Sequence, residues 1–125
     1  MTTYTSGPDF VSLQVRDTAA SARFYETVVG LRRLPAPNPH AEIFSSGGTT
    51  FGVRTPVPGT DLDAAGELGA GVGLWFHRED ALTVHDALVA HGTTIVQEPF
   101  EGPFGTTFSF RDPDGYVVTI HSRSA

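Results

Sequence analysis

The chain has 125 residues, of which 39% are hydrophobic and 18% charged, the composition of one globular domain. It contains no cysteine, so disulfides, thiolate metal sites and cysteine nucleophiles are excluded. The formal net charge of −6 argues against nucleic acid or an anionic membrane as a partner. No apolar run is long enough to span a bilayer, and the start MTTYTSGPDF lacks the regions of a signal peptide, so we expect a cytoplasmic protein.

The first half of the chain predicts a strand, a helix and three short strands. Residues 10–15 alternate between apolar and other side chains, which is typical of a half-buried strand. Asp17 is suited to cap a helix over residues 18–29 that ends at Gly30. Three strand-like segments follow, separated by the turn sequences PAPNPH and SSGG, at residues 31–34, 41–44 and 49–54. The apolar residues in the range 57–70 recur with neither the period of a helix nor that of a strand, so this segment is predicted to be a linker.

The same order restarts in the second half. A strand is predicted over residues 72–77, and Glu79 or Asp80 is suited to cap a helix that ends at Gly92. The strands after this helix are predicted at residues 94–97, 106–111 and 116–121. Asp17 and Glu79, like Gly30 and Gly92, are 62 residues apart, which is half the chain. The sequence therefore predicts two copies of one βαβββ module, over about residues 8–56 and 71–123 of a single domain.

We expect an α+β domain in which the two modules form a curved, cup-shaped mixed sheet with the helices on its outer face. Alternate residues of each module's first strand face the helix and form the core: Val11, Leu13, Val15, Val72, Leu74 and Phe76. The opposite register faces the concave side: Phe10, Ser12, Gln14, Gly71, Gly73, Trp75 and His77. We expect a ligand to occupy that concave side.

The segment GAGVGLWFH, residues 69–77, is a strand with an unusual number of glycines. Glycine weakens strands because it costs backbone entropy and packs no side chain. A phosphate-binding loop is excluded, since such a loop follows a strand and opens a helix, whereas these glycines lead into an apolar strand.

Four segments resemble one known family in their order and spacing. They are FVSLQVRDTAASARFYETVVGL, ALVAHG, EPFEGPFG and RDPDGYVVTIH. The chain resembles the vicinal oxygen chelate superfamily, which includes glyoxalase I, extradiol dioxygenases, fosfomycin resistance proteins and bleomycin resistance proteins. This resemblance spans nearly the whole chain and implies the fold of paired βαβββ modules.

In catalytic members of that superfamily, histidine and glutamate or glutamine side chains hold a divalent metal on the concave faces. By the resemblance, those positions correspond here to Phe10, a position near Gly52, Gly73 (or Gly71) and Thr119. None of these side chains binds a divalent ion in the usual way. This departure from the family pattern therefore predicts a member without a metal or another cofactor.

Aromatic and small residues take the place of those ligands. Trp75 offers a stacking face for a flat molecule, Phe10 makes the centre apolar, and Phe104 is expected to close the rim. Gly52 and Gly73 remove side-chain volume from the floor. Alternate residues of a strand point to the same side of the sheet, which we call strand parity. It adds polar candidates on the same face: Ser12, Gln14, Arg54, His77, Thr107, Ser109, Thr119 and His121. A purely structural role for Trp75, filling the cup or a dimer interface, stays open.

The first functional hypothesis is metal-free binding and sequestration of a small aromatic or planar molecule, as in the bleomycin resistance branch. The resemblance also implies a homodimer that shares the ligand groove between its chains, with no nucleic-acid or membrane partner. The alternative is a metal-dependent lyase or dioxygenase with a displaced site formed by His77, His121 and His40 or Glu42. A metal-independent enzyme with His77 or His121 as general base is a third hypothesis.

Overall fold

The computed structural model describes residues 3–123, which form two halves with the same order of elements. The first consists of β1 (Phe10–Gln14), α1 (Thr18–Arg23) with a π-helical continuation (Phe24–Val29), β2 (Arg32–Asn38), β3 (Ala41–Ser46) and β4 (Thr49–Arg54). The second consists of β5 (Leu74–His77), α2 (Ala81–His91), β6 (Ile95–Gly102), β7 (Gly105–Arg111) and β8 (Val117–His121). The predicted α+β class and the repeated βαβββ module are confirmed.

The strands are divided between two four-stranded mixed sheets. Their orders are β1-β4-β3-β2 and β5-β8-β7-β6. In each sheet the first strand runs parallel to the last, and the remaining pairs are antiparallel. Within residues 3–123 no backbone ladder joins the two sheets, so β1 and β5 are both edge strands with one unpaired side.

The local sequence explains where the helices begin and end. The Asp17 side chain accepts a hydrogen bond from the backbone N–H three residues further on, at 3.0 Å, and so caps α1. Gly30 and Gly92 end the two helical segments with φ of 91° and 90°, a conformation that favours glycine. At α2 the Asp80 carboxylate does not cap the helix but pairs with Arg78 Nε at 2.6 Å. None of the helices in residues 3–123 is long and apolar enough to cross a membrane.

The first strand of the second module is shorter than predicted. It begins at Leu74 rather than at Val72, because Gly69 and Gly71 adopt φ of 74° and 86°, which a strand does not accommodate. The Val72 N–H donates to the Gly69 carbonyl at 3.0 Å and closes a turn there. The prediction of Val72 as a core residue was wrong, since it is 74% exposed, and Gly71 lies before the strand. By contrast, β6 is longer than predicted and includes the whole EPFEG segment.

One hydrophobic core joins the two modules. Phe51 on β4 and Phe76 on β5 meet edge to face with ring centroids 5.2 Å apart. Phe24 in the first helical segment and Phe110 on β7 lie 6.0 Å apart. All four rings are buried, so the packing of aromatic side chains sets the relative position of the modules.

A buried hydrogen bond reinforces this contact between the modules. The Tyr25 hydroxyl donates to Asp112 Oδ2 at 2.7 Å. Asp112 Oδ1 accepts from the backbone N–H groups of Asp114 and Tyr116 at 2.9 and 3.0 Å, so the same carboxylate holds the turn at residues 112–115. Burial raises the pKa of Asp112. Burial, together with the nearby Asp112 carboxylate, raises the pKa of Tyr25 well above its ordinary value.

Polar contacts fix the segment between the modules to both of them. Asp63 pairs with Arg16 Nε at 2.7 Å, and Glu67 pairs with Arg111 at 3.1 Å. The Val57 N–H donates to the Gln14 side chain at 2.8 Å. The segment at residues 57–70 is therefore attached along its length, although it forms neither a helix nor a strand.

Tyr25→Phe is expected to lower the free energy of unfolding by about 1–3 kcal/mol at pH 7, because a buried carboxylate loses its donor. The raised pKa of Tyr25 means that the folded protein favours the protonated phenol. The contribution of the Tyr25 phenol to the free energy of unfolding is complete below the ordinary tyrosine pKa of 10.0. It is lost as the pH rises from there towards the pKa of Tyr25 in the folded protein. Urea unfolding between pH 7 and 11 should therefore show the difference between variant and wild type narrowing above pH 10.

The exposed Tyr4 supplies the control for this experiment. Tyr4→Phe should leave the free energy of unfolding unchanged over the same pH range. A Tyr25→Phe difference that stays constant across pH 10 would contradict the assignment of a protonated, buried phenol.

Candidate functional site

The strand registers align the sequence-predicted ligand residues on one face of each sheet. Paired residues of neighbouring strands point to the same side of a sheet. In the first sheet Ser12 pairs with Gly52 and Gln14 with Arg54. In the second sheet the pairs are Trp75 with Thr119, His77 with His121, Ser109 with Thr119 and Thr107 with His121. From here on we call this side of each sheet, opposite the helix-facing core, its outer face; it is the side that the sequence predicts to be concave, not the side that carries the helices.

The outer face of the first sheet surrounds the Phe10 ring. A Cβ added at Gly52 would lie 3.2 Å from Phe10 Cζ, so the ring occupies the space that a side chain at position 52 would need. Beside it lies a cavity of about 290 Å³, lined by Phe10, Ser12, Pro37, Asn38, His40, Ala41, Ile43 and Arg54. Gln14 does not line this cavity, and its side-chain oxygen holds the segment between the modules.

The outer face of the second sheet has an aromatic cluster formed by Trp75, His77, Phe104 and His121. The Trp75 ring centroid lies 5.6 Å from that of Phe104 and 5.7 Å from that of His121. The His77 and His121 rings are 5.6 Å apart. These tilted and edge-to-face contacts hold the Trp75 indole, yet the residue stays 49% exposed.

Gly73 makes room for this indole. A Cβ added at Gly73 would lie 3.3 Å from Trp75 Nε1, closer than most side-chain contacts. Gly52 and Gly73 do not leave the open floor that the sequence predicts. Instead, Phe10 and Trp75 each lie over one of these glycines, so an aromatic ring of the chain fills the space on each face.

The hydroxyl groups on the outer face of the second sheet are bonded within the sheet. Ser109 Oγ and Thr119 Oγ1 are 2.7 Å apart, and Thr107 Oγ1 donates to the Gly105 carbonyl at 3.1 Å. Thr107 and Thr119 are buried. These hydroxyl groups therefore stabilise the sheet itself, whereas His77 on the same face is exposed.

Each histidine of the aromatic cluster has one ring nitrogen fixed by a backbone carbonyl. His77 Nε2 lies 3.2 Å from the Ser122 oxygen, and His121 Nδ1 lies 2.9 Å from the Arg123 oxygen. A carbonyl oxygen only accepts, so these nitrogens are the donors. In the neutral rings, His77 Nδ1 and His121 Nε2 are left as hydrogen-bond acceptors.

A groove of about 850 Å³ lies between the two modules. Five consecutive residues, 73–77, form one wall together with His121. Since residues from both sides of β5 line the groove, it runs along the unpaired edge of this strand. The opposite wall comes from the first module: Pro8, Val11, Gly30, Leu31, Arg32, Ser45, Ser46, Gly47, Thr49 and Phe51. We call this cavity the intermodule groove.

The structure divides the thirteen predicted ligand residues between different places. Gly73, Trp75, His77 and His121 line the intermodule groove. Phe10, Ser12 and Arg54 line the other cavity, on the first sheet. The groove also uses residues that the sequence analysis assigned to the core or did not single out, such as Phe51 and Arg32. Their apolar or isolated character offers no local signal of a binding role.

The side chains present do not fit the metal centre found in catalytic members of the resembled family. Among residues 3–123, no group of three or more histidine, aspartate or glutamate side chains is arranged to hold a metal ion. His77 and His121 are neighbours, but His40 lines the cavity on the first sheet, and Glu42 pairs with Arg33 at 3.0 Å. The displaced site of the alternative hypothesis is therefore not assembled.

Residues 7–120 match the family model of the Glyoxalase/Bleomycin resistance protein/Dioxygenase superfamily. The chain belongs to this superfamily. The match covers nearly all of both modules and confirms the resemblance drawn from the sequence segments. No functionally curated protein matches the sequence significantly.

Solved structures of other proteins share the fold. TnmS3, an antibiotic binding protein from Streptomyces sp. CB03234, is similar with a TM-score of 0.75 at 23% identity, over 98% of this chain and 100% of that one. A glyoxylase/bleomycin resistance protein/dioxygenase domain from Frankia sp. EAN1pec is similar with a TM-score of 0.73 at 25% identity, over 97% of this chain and 100% of that one. Lactoylglutathione lyase from Agrobacterium tumefaciens is similar with a TM-score of 0.64 at 21% identity, over 94% of this chain and 93% of that one. One fold thus holds binding proteins and enzymes, and function must be argued from the site.

Gly73→Ala is expected to displace the Trp75 indole by a few tenths of an ångström, because the new Cβ would meet Nε1. Trp75 is the only tryptophan, so its emission reports this directly. We expect a shift to longer wavelength and faster depolarisation of the emission. Gly48→Ala is the matched control, since a Cβ there meets nothing within 4 Å. Equal spectra for the two variants would argue against close packing of the indole on Gly73.

Proposed function

We propose that this protein binds a small planar aromatic molecule in the intermodule groove and does not transform it. The observation that supports this most is a half-exposed tryptophan, Trp75, held at the wall of a groove of about 850 Å³. Small-molecule sites have volumes of about 300–1,000 Å³ and mainly apolar walls with a few polar groups. The groove fits this description, since Val11, Phe51, Leu74 and Phe76 contribute apolar surface to it.

The indole is held in place before any ligand arrives. Phe104 and His121 contact it from two directions, and Gly73 lies against its nitrogen. A side chain that is already ordered loses little conformational entropy when a ligand stacks on it. An exposed indole also offers a large polarisable surface and one N–H donor. Trp75 is therefore suited to stack against a flat ring.

The comparison with TnmS3 supports binding, because that protein of the same fold is described as an antibiotic binding protein. The similarity to a lactoylglutathione lyase keeps an enzymatic function in consideration. The residues at the family's metal positions favour binding over metal-dependent chemistry, since Phe10, Gly52, Gly73 and Thr119 do not supply the required donors. We propose sequestration of an antibiotic or a similar planar metabolite as the biological role.

We also propose that two chains form a homodimer that closes the groove. Phe10, Trp75 and Phe100 are large aromatic residues on the outer faces of the sheets, and each is about half exposed. Exposed apolar surface of this kind marks interaction sites. A two-fold arrangement would cover the Trp75 face of one chain with the Phe10 face of the other, so that both chains line each ligand site.

Trp75→Ala is expected to weaken the binding of N-phenyl-1-naphthylamine, a neutral planar aromatic probe, by about tenfold, which corresponds to about 1.4 kcal/mol of stacking. Calorimetric titration measures this loss. In the wild type the same probe should quench Trp75 emission saturably. Leu82→Ala is the control because Leu82 is similarly exposed but lies on α2, away from the groove. Equal affinity of the wild type and Trp75→Ala, or chemical conversion of the probe detected by mass spectrometry, would contradict the proposal.

Phe10→Glu is expected to convert a dimer into a monomer, because two carboxylates would be buried at the proposed contact. Sedimentation velocity should give twice the chain mass of 13.3 kDa for the wild type and the single chain mass for the variant. Leu82→Glu places the same charge at an exposed leucine of α2 and should stay dimeric. A wild type that sediments as a monomer at high micromolar concentration would rule the dimer out.

A further inference from the structure

The intermodule groove differs in charge from the chain as a whole. The chain has 14 acidic and 8 basic residues. In the described part of the chain, however, no aspartate or glutamate lines the groove. Its ionisable side chains are Arg32, His77 and His121, all of which are neutral or positive. An acidic protein therefore presents a groove without negative charge.

Among residues 3–123, Arg32 is the only permanently charged residue that lines the groove. It forms no salt bridge with any residue in the range 3–123. The next residue, Arg33, points to the opposite side of β2 and pairs with Glu26 at 3.6 Å and Glu42 at 3.0 Å. The guanidinium of Arg32 is thus free to donate to a ligand, whereas that of its neighbour is already neutralised.

The other polar groups of the groove complement an acidic oxygen. Ser45 and Ser46 contribute hydroxyl groups that donate or accept, whereas the Thr49 hydroxyl already donates to the Pro8 carbonyl at 3.2 Å. In their neutral form the two histidines offer acceptor nitrogens for a ligand hydroxyl. A cationic ligand would find no carboxylate here and would be repelled by Arg32.

We propose that the ligand is a planar aromatic molecule that carries an anionic oxygen, as a carboxylate, phenolate or sulfonate, and that Arg32 binds this oxygen while Trp75 stacks on the ring. The inference rests on the proposed binding function and specifies its ligand class. Hydrogen bonds between a guanidinium and an anionic oxygen are about twice as strong as neutral ones. The net charge of −6 repels anions at long range, so recognition of an anion depends on this local cation.

A matched pair of fluorescent probes tests the charge preference. 8-Anilinonaphthalene-1-sulfonate and N-phenyl-1-naphthylamine share one aromatic framework and differ by the sulfonate. Arg32→Gln is expected to weaken the binding of the sulfonate probe by about tenfold and to change that of the neutral probe by less than about twofold. Arg33→Gln removes the same charge one residue away, on the other side of β2, and should leave both affinities unchanged.

The two proposals fail in distinguishable ways. If Trp75→Ala weakens both probes but Arg32→Gln weakens neither selectively, the groove binds planar molecules and the anion preference is wrong. If Arg33→Gln has the same effect as Arg32→Gln, the effect comes from net charge and the assignment to Arg32 is overturned. If neither probe binds the wild type, or if Trp75→Ala changes neither affinity, the proposed binding function itself is contradicted.

Discussion

The buried contact between the modules is the constraint on which the site depends. No backbone ladder connects the two sheets within residues 3–123, so contacts that involve side chains, together with the attached segment at residues 57–70, hold the modules together. The Tyr25–Asp112 hydrogen bond and the Phe51–Phe76 ring contact each join a residue of the first module to a residue of the second. The intermodule groove lies between the two modules, so its width depends on their relative position. The packing of the buried side chains sets that position.

The site illustrates how one fold supports either chemistry or binding. In metal-dependent relatives, the resemblance implies histidine and carboxylate ligands where this chain has Phe10, Gly52, Gly73 and Thr119. Glycine at positions 52 and 73 lets the Phe10 and Trp75 rings lie against the strands. The small residues at these two positions and the placement of the two aromatic rings are therefore linked, because a larger side chain at either glycine would displace the ring.

Much of the fold was predictable from the sequence, because its signals are local. Asp17, Gly30 and Gly92 indicated helix ends that the structure confirms, whereas the positive φ of Gly71 moved the start of β5. Strand parity predicted which side chains share a face, as the Trp75–Thr119 pairing shows. Parity does not say how two modules approach each other. The groove contribution of Phe51, and the bond between residues 25 and 112, depend on contacts far apart in the chain and had no local signal.

The unpaired edge of β5 has a consequence for how such a site changes during evolution. Leu74 and Phe76 face the core while Trp75 and His77 face outwards, yet all four line the groove. Under the proposed binding function, a substitution at Trp75 or His77 would alter what the groove recognises and leave the core intact. A substitution at Phe76, which is buried, alters folding as well. Alternate positions of one short strand would thus let the proposed ligand preference change without a change in the buried core.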